Sequence, residues 1–295
     1  MFLQIFNVLG PVIIITLIGY ILGRSKLGIQ SSTISVVTIL VATPALIFAK
    51  LTEAHIDKEV LGIMTAAAVL CVAISSVIAV IFLKLFKGSI STFLPSLIMP
   101  NSGNVGLPLV LLTFGEQNLH LGVCYFFVIA LLQHSVGASI AAGSYQLSFV
   151  LRQPLIYAVI CVIVVVALDV EVPQVVLSTA EMLGGMMIPA MLILLGISLA
   201  TLEVSDLKPA LGVAFGRLGL GLISGFAVIN ILGLEGAAAG TVFLLAAMPV
   251  AVVNYIYAEH FSDRPAQVAG GIVVSTMVTF AFLPAIIWVA LRMTE

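Results

Sequence analysis

Ten apolar runs, each long enough to cross a bilayer as a helix, follow one another along the chain with short polar breaks between them. They lie at 5–23, 33–51, 60–84, 93–114, 119–140, 154–170, 175–200, 208–232, 237–261 and 266–291. In hydrocarbon a backbone N–H or C=O has no water to bond, so each run must satisfy its own backbone. The fold expected is therefore an all-α polytopic membrane protein. Hydrophobic residues are 62% of the chain and charged residues 8%, which excludes an ordinary soluble enzyme. Net charge is −2 with no long basic run, so nucleic acid is excluded as a partner. Cys71, Cys124 and Cys161 all fall in apolar runs, at spacings that support neither a disulfide framework nor a zinc site, and no cofactor is expected. Arg24 and Lys26 follow the first run and do not precede it, so it reads as a first span and not a cleaved signal.

The fourth run is built to break. Pro95-Ser-Leu-Ile-Met-Pro-Asn-Ser-Gly-Asn-Val-Gly-Leu-Pro108 holds three prolines, two glycines, two asparagines and two serines. Proline removes a backbone donor and clashes with the preceding turn. The freed groups are tolerated at membrane depth only where protein or a water-filled cavity meets them, so this break should face a binding cavity. Leu245-Ala-Ala-Met-Pro-Val-Ala-Val-Val-Asn254 in run nine is a second such stretch. Met99-Pro100 and Met248-Pro249 are 149 residues apart; Thr43-Pro44 and Ile188-Pro189 are 145 apart. Landmarks recurring in order at nearly one spacing indicate an internal repeat, 1–141 and 154–295, joined by a linker at 142–153. Five spans per repeat is odd, so the second half enters from the opposite side and the repeat is inverted.

Lys and Arg in the short loops set the orientation. Arg24, Lys26, Lys84, Lys87, Arg152, Lys208 and Arg264 fall on one side; Lys50, Lys58 and Arg292 fall on the other. The first side is read as cytoplasmic, which places both termini outside a cell inner (plasma) membrane.

Candidate site residues cluster at the breaks. Asn101 and Asn104 are three apart, so a helix resuming there carries both amides near one face. Each amide offers donors and an acceptor without charge, beside the positive end of the resumed half-helix. That combination suits a carboxylate, and Pro100, Ser102 and Pro249 stand at the same two breaks. Asn254 follows its proline by five residues and Asn104 by four, so both can approach one midplane cavity. The alternative is that these asparagines only cap broken helices. Arg217, about 15 Å into run eight at 1.5 Å per residue, is the one deep basic residue. It is expected either to face the cavity or balance charge at its rim, or else to be structural and paired with carbonyls. Gln133 and Tyr125 share a broad face of run five. His134 beside them could carry a coupling proton or serve only in packing. Gly103 and Gly106 are not a phosphate loop, because no Gly-Lys-Ser/Thr follows.

Together the motifs resemble the auxin efflux carrier family of bacterial and plant transporters, within the bile/arsenite/riboflavin transporter superfamily. They are Leu17-Ile-Gly-Tyr-Ile-Leu-Gly-Arg24, Thr43-Pro-Ala-Leu-Ile-Phe48, Pro100-Asn-Ser-Gly-Asn-Val-Gly-Leu-Pro108 and Gln153-Pro-Leu-Ile156. Ile188-Pro-Ala-Met-Leu-Ile-Leu-Leu-Gly196, Ala247-Met-Pro-Val-Ala-Val-Val-Asn-Tyr-Ile-Tyr-Ala-Glu259 and Ser275-Thr276 complete the order. The resemblance implies ten spans in two inverted five-helix repeats, with spans four and nine broken and crossing at Pro100-Asn101 and Pro249. It implies a scaffold of spans 1, 2, 6 and 7 beside a moving domain of 3–5 and 8–10, often as a homodimer, carrying dicarboxylates or indole-type acids by an elevator motion. Val250 departs from a polar residue at the second crossing, and the long cytoplasmic loop of plant members is absent. Three readings stay open: a carrier of a small organic anion coupled to protons or sodium, a sodium-coupled bile-acid-type carrier, and an intramembrane enzyme. The last lacks paired carboxylates, a zinc motif or an activated nucleophile within any run.

Overall fold

The computed structural model describes residues 2–25, 27, 31–53, 58–144, 154–168 and 170–294. Its helices in chain order are α1 (Phe2–Arg24), α2 (31–53), α3 (Lys58–Leu85), α4 (Ile90–Ile98), α5 (Ser102–Phe114) and α6 (Glu116–Ala142). The second half carries α7 (Pro154–Ala167), α8 (Gln174–Thr201), α9 (Leu207–Leu232), α10 (Gly236–Ala246), α11 (Val253–Phe261) and α12 (Pro265–Arg292). Seven of them, α1, α2, α3, α6, α8, α9 and α12, are long and apolar enough to cross a membrane. Runs four and nine are each split into two short helices, α4 with α5 and α10 with α11. Run six ends as a helix at Ala167 and not at 170, where the Val170 amide bonds back to Val165 O in a wide turn (3.0 Å). Lys26, Arg152, Glu295 and most of the expected linker (145–153) lie outside the described residues.

Local chemistry sets the ends. Ser89 caps α4, its Oγ accepting from the Thr92 amide (3.3 Å). Asp206 caps α9, which stops where Gly233 turns left-handed at φ 60°.

The helices pack in two groups. In the first, α1 lies along the second half of α8, and α2 packs on α7 and the first half of α8. Glycine makes the α1–α8 approach possible, since a Cβ on Gly196 would run into the backbone of Thr16, Gly19 and Tyr20. In the second group, α3 packs on α9 and α6, while α9 also holds α4, α10 and α12. The groups meet where α1 touches α5, α2 touches α6, and α8 touches residues 102–106. Lys50 on α2 and Glu116 of α6 bridge them at one end (3.0 Å).

Candidate functional site

The two split runs cross at their breaks. Proline at 100 and at 249 can donate no hydrogen bond, so neither chain can continue its helix and each runs extended for a few residues. The extended pieces pair antiparallel, Pro100 opposite Val250. The Asn101 amide donates to Pro249 O (2.7 Å) and the Ala251 amide to Met99 O (3.3 Å). Two further donors are met within the protein: the Met99 amide bonds Pro95 O (3.0 Å), and the Val250 amide bonds Ser275 Oγ on α12 (3.1 Å). The crossing thus meets these four non-helical amides within the protein, as membrane depth requires.

Arg217 completes the accounting. Its guanidinium donates to Leu97 O at the end of α4 (2.7 Å), to Met248 O (3.1 Å) and to Ala246 O at the end of α10. A helix C-terminus carries unpaired carbonyls and the negative end of its dipole. One planar fork therefore serves two half-helix ends that lie together, which a lysine could not do. The side chain is 2% exposed and is not among the residues that line the cavity described below. The expectation that Arg217 faces the cavity is corrected: its charge balances helix dipoles, and the alternative of a structural arginine paired with carbonyls is what the geometry shows. Gly221 leaves room for this, since a Cβ there would strike Ala246 O and the guanidinium.

Between the two helix groups, on the crossing, lies a cavity of about 150 Å³. The crossing contributes Pro100–Asn104 and Ala251–Val253; α6 contributes Phe126, Gln133 and His134; α2 and α8 contribute Ser35, Thr43 and Ser198 among others. Three π-helical turns, Thr38–Ala42, Ser102–Gly106 and Gln133–Gly137, each carry residues of this lining. A π turn holds one extra residue and re-aims the side chains around it, which is why such turns gather at functional sites.

The polar lining leaves donors over. Asn101 Oδ1 accepts from the Asn104 amide (3.2 Å), which fixes the orientation of its amide group and points to capping. Asn101 Nδ2 is buried without a partner among the described residues, and so is Gln133 Nε2; the two residues are 4% and 7% exposed. Buried donors are rarely left unmade, each costing about 1–3 kcal/mol. Both lie on residues lining one cavity, and Ser102 opens helix α5 there with its positive dipole end.

Of the residues expected at the site, Pro100, Asn101, Ser102, Asn104, Gln133 and His134 are brought together as lining. Pro249 contributes its carbonyl to the crossing. Two are placed elsewhere. Asn254 Nδ2 donates to Pro95 O (3.3 Å), tying α11 to α4, and the residue does not line the cavity. Tyr125 is wholly buried beside Cys71 and Arg217 and does not line the cavity, although its neighbour Phe126 does. Ser35, Thr43 and Ser198 were not expected there; only the Thr43-Pro44 and Ile188-Pro189 landmarks pointed to α2 and α8. Tyr257 also went unnoticed: its hydroxyl bonds His134 Nδ1 at 2.6 Å.

A family model described as a membrane transport protein matches residues 4–147 and 147–289 in succession, nearly the whole chain. A search of curated proteins finds no match. The crossing helices and the cavity built on them thus sit in a chain that belongs to the membrane transport protein family, the family of the auxin efflux carriers.

Proposed function

We propose that the protein is a secondary carrier that binds a small organic anion in the cavity at the crossing and moves it by an elevator-type displacement of one helix group against the other. The observation that carries the reading is the pair of buried amide donors, Asn101 Nδ2 and Gln133 Nε2, without partners among the described residues and carried by two residues that line the cavity. Donors without acceptors call for a ligand rich in acceptors, and a carboxylate is the commonest such group. Arg217 neutralises the carbonyl ends of the broken helices, which leaves the amide end of α5 to act on the cavity.

The membrane plan follows the same reading. Helix α4 (9 residues) and α5 (13, from 5 and 8) together reach about 33 Å at 1.5 Å per residue, close to a bilayer core of about 30 Å. Counting α4–α5, α10–α11 and α7 as one crossing each brings the seven long helices to ten, in two inverted halves with both termini outside. The scaffold would be α1, α2, α7 and α8, whose apolar outer face (Tyr157, Ile160, Val175, Met182) meets lipid or a second copy. The cavity lies where this group meets the other, which suits a site exposed in turn to each side as the groups slide.

Thermal unfolding of the purified full-length protein with succinate, benzoate and indole-3-acetate, in sodium and in potassium salts, tests the proposal. A ligand at a hundred times its Kd stabilises by about 2.7 kcal/mol, a clear rise in Tm. At least one carboxylate raises Tm where its amide or an organic cation does not. A rise with cations alone, or with no carboxylate, removes the anion site.

A further inference from the structure

Among the described residues that line the cavity, His134 carries the one ionisable side chain. It stands in the π turn Gln133–Gly137, directly after the amide donor Gln133, and its ring is held from behind by α11. Nδ1 meets the Tyr257 hydroxyl at 2.6 Å, with the two rings edge to face. Nε2 has no hydrogen-bond partner among the described residues, and the residue is only half-buried.

Among the described residues, the groups around it leave the imidazole without a fixed counter-charge. Helix α4 presents no titratable side chain. On α11 the nearest ones besides Tyr257 are Tyr255 and Glu259, which bond each other at the exposed end (3.3 Å), and His260, also exposed. On α6, Cys124 and Tyr125 are buried outside the lining, His120 lies more than three turns back, and Glu116 pairs with Lys50 of α2. Glu181 of α8 is exposed, and Glu53 and Lys50 lie beyond the α2 residues that reach the cavity.

We propose that His134 takes up one proton from solution together with the anion, so that the species carried is an anion plus a proton. This rests on the anion-binding reading above. In the neutral ring, the Tyr257 phenol donates to Nδ1 and the proton sits on Nε2. In the imidazolium, Nδ1–H donates and the phenol oxygen accepts, because a tyrosine hydroxyl can do either. The 2.6 Å contact therefore survives both charge states and keeps Nε2–H turned to the ligand. A carboxylate bonded to Nε2–H favours the imidazolium, and linkage requires that the proton favour the carboxylate equally. Tyr257 acts as a positioning residue; His134 touches the ligand.

Calorimetry on the full-length protein with succinate, benzoate and indole-3-acetate, between about pH 6.5 and 8, tests this. Titration in two buffers of different ionisation enthalpy counts protons. The expected result is about one proton taken up per anion, and an affinity that falls towards tenfold per pH unit as pH rises. His134→Gln keeps hydrogen-bonding capacity but cannot titrate: it binds with no proton uptake and a flat pH profile. Tyr257→Phe shifts the fall in affinity to lower pH, because the charged ring loses the stronger hydrogen bond. Tight binding by the unsubstituted protein with no proton uptake overturns the assignment and leaves the anion site standing. Failure of all three carboxylates to bind at any pH removes both.

Discussion

Replacing Arg217 by methionine strikes the crossing at its most connected point. The substitution keeps volume and apolar stem but removes all three donors, leaving Leu97 O, Ala246 O and Met248 O buried without partners. At about 1–3 kcal/mol for each group left unpaired, the cost is about 3–9 kcal/mol, against a total stability of about 5–15 kcal/mol for a folded domain. Arg217→Met should therefore yield little folded protein. Arg217→Lys keeps a charge near both helix ends but offers a point donor, so it should fold with Tm lowered by several degrees. Fluorescence-detected size exclusion gives the folded yield, and thermal unfolding of the Lys variant gives the shift. A substrate-binding arginine behaves in the opposite way: Arg217→Lys would melt like the unsubstituted protein and bind the anion poorly. A normal Tm with lost binding in that variant would refute the clamp.

Other expectations test separate joints. Gly196→Val puts a branched side chain into the backbone of Thr16 and Tyr20; overpacking of this kind costs about 1–3 kcal/mol, and thermal unfolding reads it. Asn254→Ala should lower stability by about 1 kcal/mol through loss of its bond to Pro95 O, with anion affinity unchanged; a tenfold loss of affinity would return Asn254 to the site. For topology, a cysteine at Ser89 should resist a membrane-impermeant thiol reagent in intact cells while one at Thr294 reacts, and the reverse pattern would invert the orientation.

The sequence made the breaks legible because proline acts through its own backbone, whatever surrounds it. Pro100 and Pro249 announce interrupted helices, and the halved spacing announces that they correspond. The facing of side chains was not legible. An apolar run shows no polar stripe from which to read a buried face, so Gln133 and Tyr125, eight residues apart on α6, looked equivalent. One lines the cavity and the other lies behind it: at 3.6 residues per turn they stand about 80° apart, and the lining follows Phe126, Ala130, Gln133 and His134. The partners of Arg217, Asn254 and His134 were beyond reach for a second reason. Leu97 lies 120 residues from Arg217, Pro95 159 from Asn254 and Tyr257 123 from His134, joined only once the two broken spans cross. Arg217 shows the consequence most clearly: depth in a span marks a charge as important, but only the crossing reveals that it serves helix ends.

Asn101 tests the anion site most directly, because its side chain does two things at once. Oδ1 caps the resumed helix through the Asn104 amide, while Nδ2 is left buried with no partner among the described residues, on a residue that lines the cavity. Asn101→Asp separates them. The carboxylate keeps the accepting oxygen at a helix N-terminus, where negative charge is favoured, and replaces the waiting donor by an acceptor. Calorimetric titration of this variant with the carboxylate that binds the unsubstituted protein is the direct measurement. The account predicts a retained Tm and an affinity reduced at least a hundredfold, since a charge-assisted hydrogen bond of about 1.5–3 kcal/mol is lost and a like charge takes its place. An unchanged affinity at unchanged Tm would make Asn101 a cap alone and contradict an anion site at the crossing.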